Sequence, residues 1–340
     1  MKILWFAVSI VFIVILVKQF GKLSTAVETL SQGAWYFLVA VLVIQAIGII
    51  NKGAFYWSLY EFFSIKEDLR RMVILSLSSN FINLTAPSGG LAGLAIFVSE
   101  AEHHGMTKSK STFINIFAYF LIYALFILVL MFGLFYLLFN HQLHTYQLIG
   151  AAIVFGMILV LLFIMIISIE QAARLKKLFQ FFAAIINFVL RVLQTKRFLI
   201  KHSDVHIASS EVNECLDVVE KKWKALWLPL FHVLLMELID ILTLYYLFLA
   251  FHYPIYPGIL ITVYAISVLF SLVSITPAGV GIVEAAMILV LTNLKVPVEL
   301  ATIVVVGFRL ITFWIPFLLG YFSFKIYQKE KLLRVKDATG

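Results

Sequence analysis

Only 13% of the 340 residues are charged, against roughly 25% in a soluble domain. That scarcity excludes an ordinary water-soluble globule. There is one cysteine, Cys215, so no internal disulfide framework can form. It falls in the most polar loop and reads as a plain reduced thiol. No basic stretch outside the apolar runs is interleaved with stacking aromatics, so the net charge of +8 does not mark a nucleic-acid binder. No A-x-A-like site follows MKILWFAVSIVFIVILVKQF. Lys18 and Gln19 come directly after the apolar run, and the segment reads as an uncleaved first span. No Ser/His/Asp set and no nucleotide loop is visible, so no catalytic residue and no cofactor are expected. Glu100, Glu102, His103 and His104 come nearest to a metal cluster. No second group shares ligand spacing, so they read as a solvated loop cap and no metal is expected.

What fills the chain instead is hydrocarbon. Hydrophobic residues make up 63% of it, and mean hydropathy is +1.03. Several runs exceed the roughly 18 apolar residues that suggest a membrane span. The expected class is an all-α integral membrane protein. Six full spans stand out, at about 3–17, 34–56, 113–139, 146–169, 226–250 and 302–324. Trp35, Trp57, Trp223 and Trp227 lie near span ends and read as interface anchors. Two further apolar stretches, 72–98 and 259–290, are each interrupted by a Pro-Gly turn.

Loop charge orients the spans. NHQLHTY (Asn140–Tyr146) and FHYPIYP (Phe251–Pro257) carry no Lys or Arg, whereas 171–224 and the tail 326–340 are rich in both. The positive-inside rule puts the long loop and both termini in the cytoplasm. Within that loop, Leu175–Leu199 spaces apolar residues among basic ones and reads as an amphipathic helix on the inner leaflet. Each broken stretch must then begin and end on one side, as a re-entrant hairpin or a pair of short spans. The two stretches open on opposite sides. The chain divides into a first membrane repeat (1–139), a second (140–325) and the basic tail, an inverted-topology arrangement found in many transporters. At an offset of 190 residues Pro87 falls on Pro277, Gly89 on Gly279, Ala95 on Ala285 and Thr112 on Thr302.

The breaks carry the functional expectation. In SITPAGVGIVEAA (Ser274–Ala286) a proline, two glycines and a carboxylate interrupt an apolar run. Irregular backbone at membrane depth is tolerated only where protein or a water-filled cavity surrounds it. Pro277 breaks the helical ladder, and Gly279 and Gly281 permit tight turns. Thr276–Gly281 is therefore expected as a buried hairpin tip. The next helix aims its N-terminal amides into a cavity, with Glu284 in its first turn. Thr85, Pro87, Ser88, Gly89 and Gly90 should form the matching tip, with Asn80 and Asn83 just before it. Two tips meeting near mid-membrane would build a polar site between the halves.

Intramembrane charges add to it, each costing at least about 2.5–3.5 kcal/mol without a partner or a cavity. Arg309 lies inside the last span and is paired here with Glu284. That pair is either a static fastener or a receptor for an anionic head group such as phosphate. Glu237 and Asp240, three apart on one helical face, either take up a coupling proton, attract a cationic head group, or hydrogen-bond between helices.

NLTAPSGGLAG with GMTKSKS downstream, and ITPAGVGIVEAA with VPVELA and FRLITFWIPFLLG, resemble the membrane domain of lysylphosphatidylglycerol synthases, the multiple peptide resistance factors. The likeness covers roughly residues 5–325. It implies a multi-pass protein of a prokaryotic plasma membrane that flips lipids such as aminoacylated phosphatidylglycerol between leaflets, a trait tied to antimicrobial peptide resistance. Glu284 and Arg309 match charged positions of the family's second motif, while PSGGLAG lacks the acidic and basic residues many members carry in the first. The synthetic activity of full-length members resides in a cytosolic acyltransferase domain. About sixteen residues follow Phe324, too few for that domain, so lipid transport is expected rather than phosphatidylglycerol lysyltransferase chemistry. Two alternatives stay open: a membrane component of aminoacyl-lipid synthesis, or a partner subunit working with a separate aminoacyl-lipid synthase or glycosyltransferase. The expected ligand in each case is membrane phospholipid.

Overall fold

A backbone surrounded by hydrocarbon has only itself to hydrogen-bond with, and every described regular element is a helix. The computed structural model describes residues 33–85, 92–101, 106–141, 202–274 and 279–339, with isolated positions between 145 and 159. The expected first span, the body of the fourth, the amphipathic stretch 175–199, and both turns at 86–91 and 275–278 lie outside the described residues.

In chain order the helices are α1 (Trp35–Phe62), α2 (Leu69–Thr85), α3 (Leu94–Ala101), α4 (Lys108–Phe139), α5 (His202–Lys222), α6 (Trp227–Ala250), α7 (Pro257–Val273), α8 (Ile282–Asn293), α9 (Val298–Arg309) and α10 (Ile315–Thr339). Among the described residues four helical segments are long and apolar enough to cross a membrane: Trp35–Phe62, Lys108–Phe139, Ile207–Ala250 and Val298–Leu333. Ser64, His141, His252 and Lys295 end α1, α4, α6 and α8 with positive φ between 54° and 70°, the left-handed stop usually filled by glycine. A π-turn at Leu310–Trp314 joins α9 to α10. Its cause is Pro316, which has no N–H to give and whose ring crowds the carbonyl four residues back.

Both expected breaks are present. The first stretch splits into α2, of 17 residues, and α3, of 8. The second splits into α7, of 17, and α8, of 12. At about 1.5 Å per residue neither α3 nor α8 can cross about 30 Å of hydrocarbon.

The packing joins helices far apart in the sequence. α1 lies antiparallel to α6: Ala34 N–H donates to the Ala250 carbonyl at 2.8 Å, and Asn51 reaches the His232 carbonyl at 2.8 Å. The first arm of hairpin one, α2, packs on α10, where a Cβ on Gly320 would sit 2.7 Å from the Leu77 carbonyl oxygen. The first arm of hairpin two, α7, packs on α4, where a Cβ on Gly133 would meet Thr262 and Ala265 at 3.2 Å. Hairpin one thus enters beside the C-terminal end of α10. Hairpin two enters at the other end of the bundle, beside the end of α4, where Gly258 abuts Tyr136. Two large apolar cores result among the described residues. One gathers Phe248, Leu269, Met287 and Val304; the other gathers Phe55, Met72, Phe97 and Ile114.

Three expectations need correction. Glu100 is not a solvated cap: it is buried and takes two hydrogen bonds from Arg71, at 2.9 and 2.8 Å. Arg71 also pairs with Glu330 of α10 and lies over the Tyr327 ring, so the mouth of hairpin one is fastened to the C-terminal helix. Trp57 is not an interface anchor but packs on the second core, whereas Trp35, Trp223 and Trp227 are exposed. Cys215 is not in an open loop; it is buried on α5.

Candidate functional site

Glu284 is the N3 residue of α8. One carboxylate oxygen accepts from the Gly281 backbone N–H at 2.6 Å, closing the helix start. The other accepts from Arg309 Nε at 2.7 Å. Arg309 is nearly buried, and its guanidinium lies 4.6 Å from the centre of the Phe313 ring. Gly279 and Gly281 supply the positive φ values, 70° and 88°, that turn the chain into α8. The expected pairing of Arg309 with Glu284 is therefore present, at the return of hairpin two. Thr276 and Pro277 lie outside the described residues.

On the hairpin-one side the expected residues divide. Asn83 is a clip: its Oδ1 accepts from the Gly93 N–H at 2.6 Å and its Nδ2 donates to the Tyr119 hydroxyl at 3.0 Å. It closes α2 onto the return arm and onto α4. Thr85 spends its hydroxyl on the Phe81 and Ile82 carbonyls of its own helix. Pro87, Ser88, Gly89 and Gly90 are outside the described residues. Asn80 points elsewhere, into a cavity of about 160 Å³ between α1, α2, α6 and the π-turn.

That cavity is lined by polar side chains from four elements. Its polar lining is Gln45 and Lys52 from α1, Ser76 and Asn80 from α2, Asp240 from α6 and Thr312 from the π-turn. Gln45 Nε2 donates to Asp240 Oδ1 at 2.9 Å and to Thr243 Oγ1 at 2.8 Å, which fixes the carboxylate. Lys52 and Asp240 approach it from facing helices without forming a direct ion pair. Lys52 lies ten residues before the end of α1, about 15 Å along the axis. Glu237 does not line the cavity. It turns toward Tyr264 of α7 and leaves its Oε2 buried with no hydrogen-bond partner. The two carboxylates expected to act together therefore face different neighbours.

Lys52 and Gln45 are absent from the sequence-based expectations, although a signal existed. A lysine inside IINKGAFYW, within an apolar run, marks a functional candidate by its insertion cost alone. Among the described residues no group of three or more His, Cys, Asp or Glu side chains could hold a metal ion.

Residues 3–320 match the family described as the lysylphosphatidylglycerol synthase TM region. The chain belongs to this family. Its all-helical, multi-pass architecture and apolar spans are those of an integral membrane protein of that region. Among curated proteins it is similar to a UPF0104 membrane protein of Methanocaldococcus jannaschii, 35% identical over 91 residues. That match spans 27% of this chain and 27% of the archaeal protein's length.

Proposed function

We propose that the protein is a lipid translocase that moves an anionic or aminoacylated phospholipid, such as lysylphosphatidylglycerol, across a prokaryotic plasma membrane. The long basic loop and both termini face the cytoplasm in this reading. The observation that carries it is the polar cavity within an apolar bundle, holding a cation and an anion that do not neutralise each other by contact. Charge within a membrane span is costly and is kept where it serves a pathway. The broken hairpins support the reading, since two inverted halves meeting near the midplane are a transporter arrangement. Acyl chains would stay in the bilayer while the head group crosses between the halves. Arg309 and the amides around Pro277–Gly281 would meet the phosphate on the hairpin-two side, with Arg309 exchanging Glu284 for the lipid. Asp240, in the cavity, would answer a cationic group.

The test is leaflet-resolved labelling in proteoliposomes that contain only this protein. Fluorescent phosphatidylglycerol and its lysylated form are compared using a membrane-impermeant quencher. Protein-dependent loss of the protected fraction is expected, and its disappearance in Arg309→Gln. Folded protein that moves neither lipid defeats the proposal. Whole-cell lipid extracts separate this reading from a synthetic one: a translocase leaves total aminoacyl-lipid unchanged when deleted, and a component of synthesis does not.

A further inference from the structure

The charges lining the central cavity are arranged unlike a structural ion pair. Arg309 and Glu284 close to contact at 2.7 Å. Lys52 and Asp240 share a cavity and an electrostatic interaction, yet no ion pair joins them. The Asp240 carboxylate is held in place by Gln45, itself anchored to Thr243, so it is not free to swing over to the lysine. Lys52 makes no hydrogen bond to a described residue. Asn80, on hairpin one, offers a carbonyl and an amide to the same space without a described partner of its own. The volume of about 160 Å³ is that of several water molecules. A held anion and an uncontacted cation across such a gap are complementary to a ligand carrying both charges.

We propose that this cavity is a head-group site apart from Arg309, and that it takes a dipolar group: a phosphate on Lys52 and a primary ammonium on Asp240, with Asn80 bonding the phosphate oxygens. The lipid as the source of that group rests on the translocase reading; the charge preference does not. An ammonium is a compact donor suited to a single phosphate oxygen, and a carboxylate with one oxygen already engaged keeps acceptor sites for an amine. A phosphodiester without an amine satisfies only half the site. It leaves Asp240 desolvated with an empty neighbour, which costs affinity.

The experiment uses purified full-length protein in detergent and soluble head groups, so that binding is read without transport. Glycerophosphoethanolamine carries both charges, glycerophosphoglycerol only the phosphate, and ethanolamine only the amine. Half-saturating concentrations are taken from ligand-induced thermal shifts. Glycerophosphoethanolamine should bind about tenfold or more tightly than either half-ligand, the discrimination expected of one hydrogen-bonded charge. Asp240→Asn keeps the acceptor for Gln45 but removes the charge. It should abolish the amine advantage while leaving glycerophosphoglycerol binding within about twofold. Lys52→Gln should weaken both phosphate ligands at least about tenfold, and Lys52→Arg should retain binding. If Lys52→Gln does not fold, Lys52→Arg and Asp240→Asn decide between the outcomes. Equal half-saturation by all three compounds, or an amine advantage that survives Asp240→Asn, overturns the proposal.

Proteoliposomes then separate the sources. Phosphatidylethanolamine or lysylphosphatidylglycerol moving faster than phosphatidylglycerol, with entrapped glycerophosphoethanolamine retained, identifies a lipid head group. Release of the entrapped compound identifies a soluble one. Binding preference without movement of any lipid supports the site and removes the translocase reading. Lipid movement with no binding preference does the reverse.

Discussion

Replacing Arg71 by methionine tests how hairpin one is held at its mouth. Arg71 opens α2, Glu100 closes α3 and Glu330 lies on α10, so one guanidinium ties three elements. The Arg71 and Glu100 side chains are only 11% and 4% exposed, so little solvent screening weakens the pair. The bond is bidentate, and Lys331 adds a second tie from α10 to Ser99 beside it. Methionine keeps most of the stem's packing and removes the charge. The Glu100 carboxylate then loses two charge-assisted hydrogen bonds inside the protein, and breaking such a pair costs about 3–5 kcal/mol. Glu100→Gln combined with Arg71→Met removes both charges, and should recover about 2 kcal/mol relative to the sum of the single losses. The assay is reversible unfolding in mixed micelles with increasing sodium dodecyl sulfate, run as a double-mutant cycle. A single-variant loss below about 1 kcal/mol, or losses that add within about 0.5 kcal/mol, would show that the clamp contributes nothing beyond contact.

Three further outcomes follow from the packing. Gly320→Ala places a methyl 2.7 Å from the Leu77 carbonyl oxygen and should cost about 1–3 kcal/mol by overpacking, read in the same unfolding assay; unchanged stability would mean that α10 and α2 separate freely. Asn83→Ala removes the acceptor of the Gly93 N–H and a donor to the Tyr119 hydroxyl and should cost about 1–3 kcal/mol, with faster proteolysis near the hairpin. Burial pushes the Cys215 thiol up to about 11, so its alkylation at neutral pH should run at least about tenfold slower than that of free cysteine and keep rising with pH past the range where an ordinary thiol levels off. A rate matching free cysteine would contradict the burial of α5 against α4.

Spans are legible in the sequence because hydrocarbon imposes a simple length rule, and α6 begins within one residue of its expected start. The breaks are legible too, because proline and glycine inside an apolar run have few other uses. Glu284 and Arg309 can be paired from sequence: each is an expensive charge, and their separation allows few alternatives. Depth of contact is not legible. Hydropathy sees neither the antiparallel register that brings Gln45 to Asp240 nor the bond that turns Asn83 into a clip, since both depend on partners 36 to 195 residues away. Glu237 and Asp240 show the limit of helical spacing. Three residues place them on one side of α6, but Tyr264 of α7 and Gln45 of α1 draw them to different neighbours. Lys52 escapes a hydropathy reading because its apolar surroundings absorb it into an uninterrupted span, although its insertion cost singles it out.

Arg309 and Lys52 differ in a way that one substitution can expose. Arg309 is engaged: a carboxylate at 2.7 Å and an aromatic face at 4.6 Å hold it. If Arg309 takes the lipid phosphate during transport, Glu284 is a competitor that must be displaced on every cycle. Glu284→Gln retains an oxygen for the Gly281 N–H, so the start of α8 keeps its cap, but the competing charge is gone. Lipid binding should then tighten by about tenfold, the scale of one charge-assisted bond no longer broken on binding, while turnover falls because release is slower. A purely structural pair predicts the opposite pattern: affinity unchanged, and transport lost only in proportion to lost stability. Binding of fluorescent lysylphosphatidylglycerol and transport, measured on the same preparation with its unfolding curve, separate the two. Unaltered affinity in a stably folded Glu284→Gln protein would remove Arg309 from the lipid's path and leave the Lys52 cavity as the cationic site on that route.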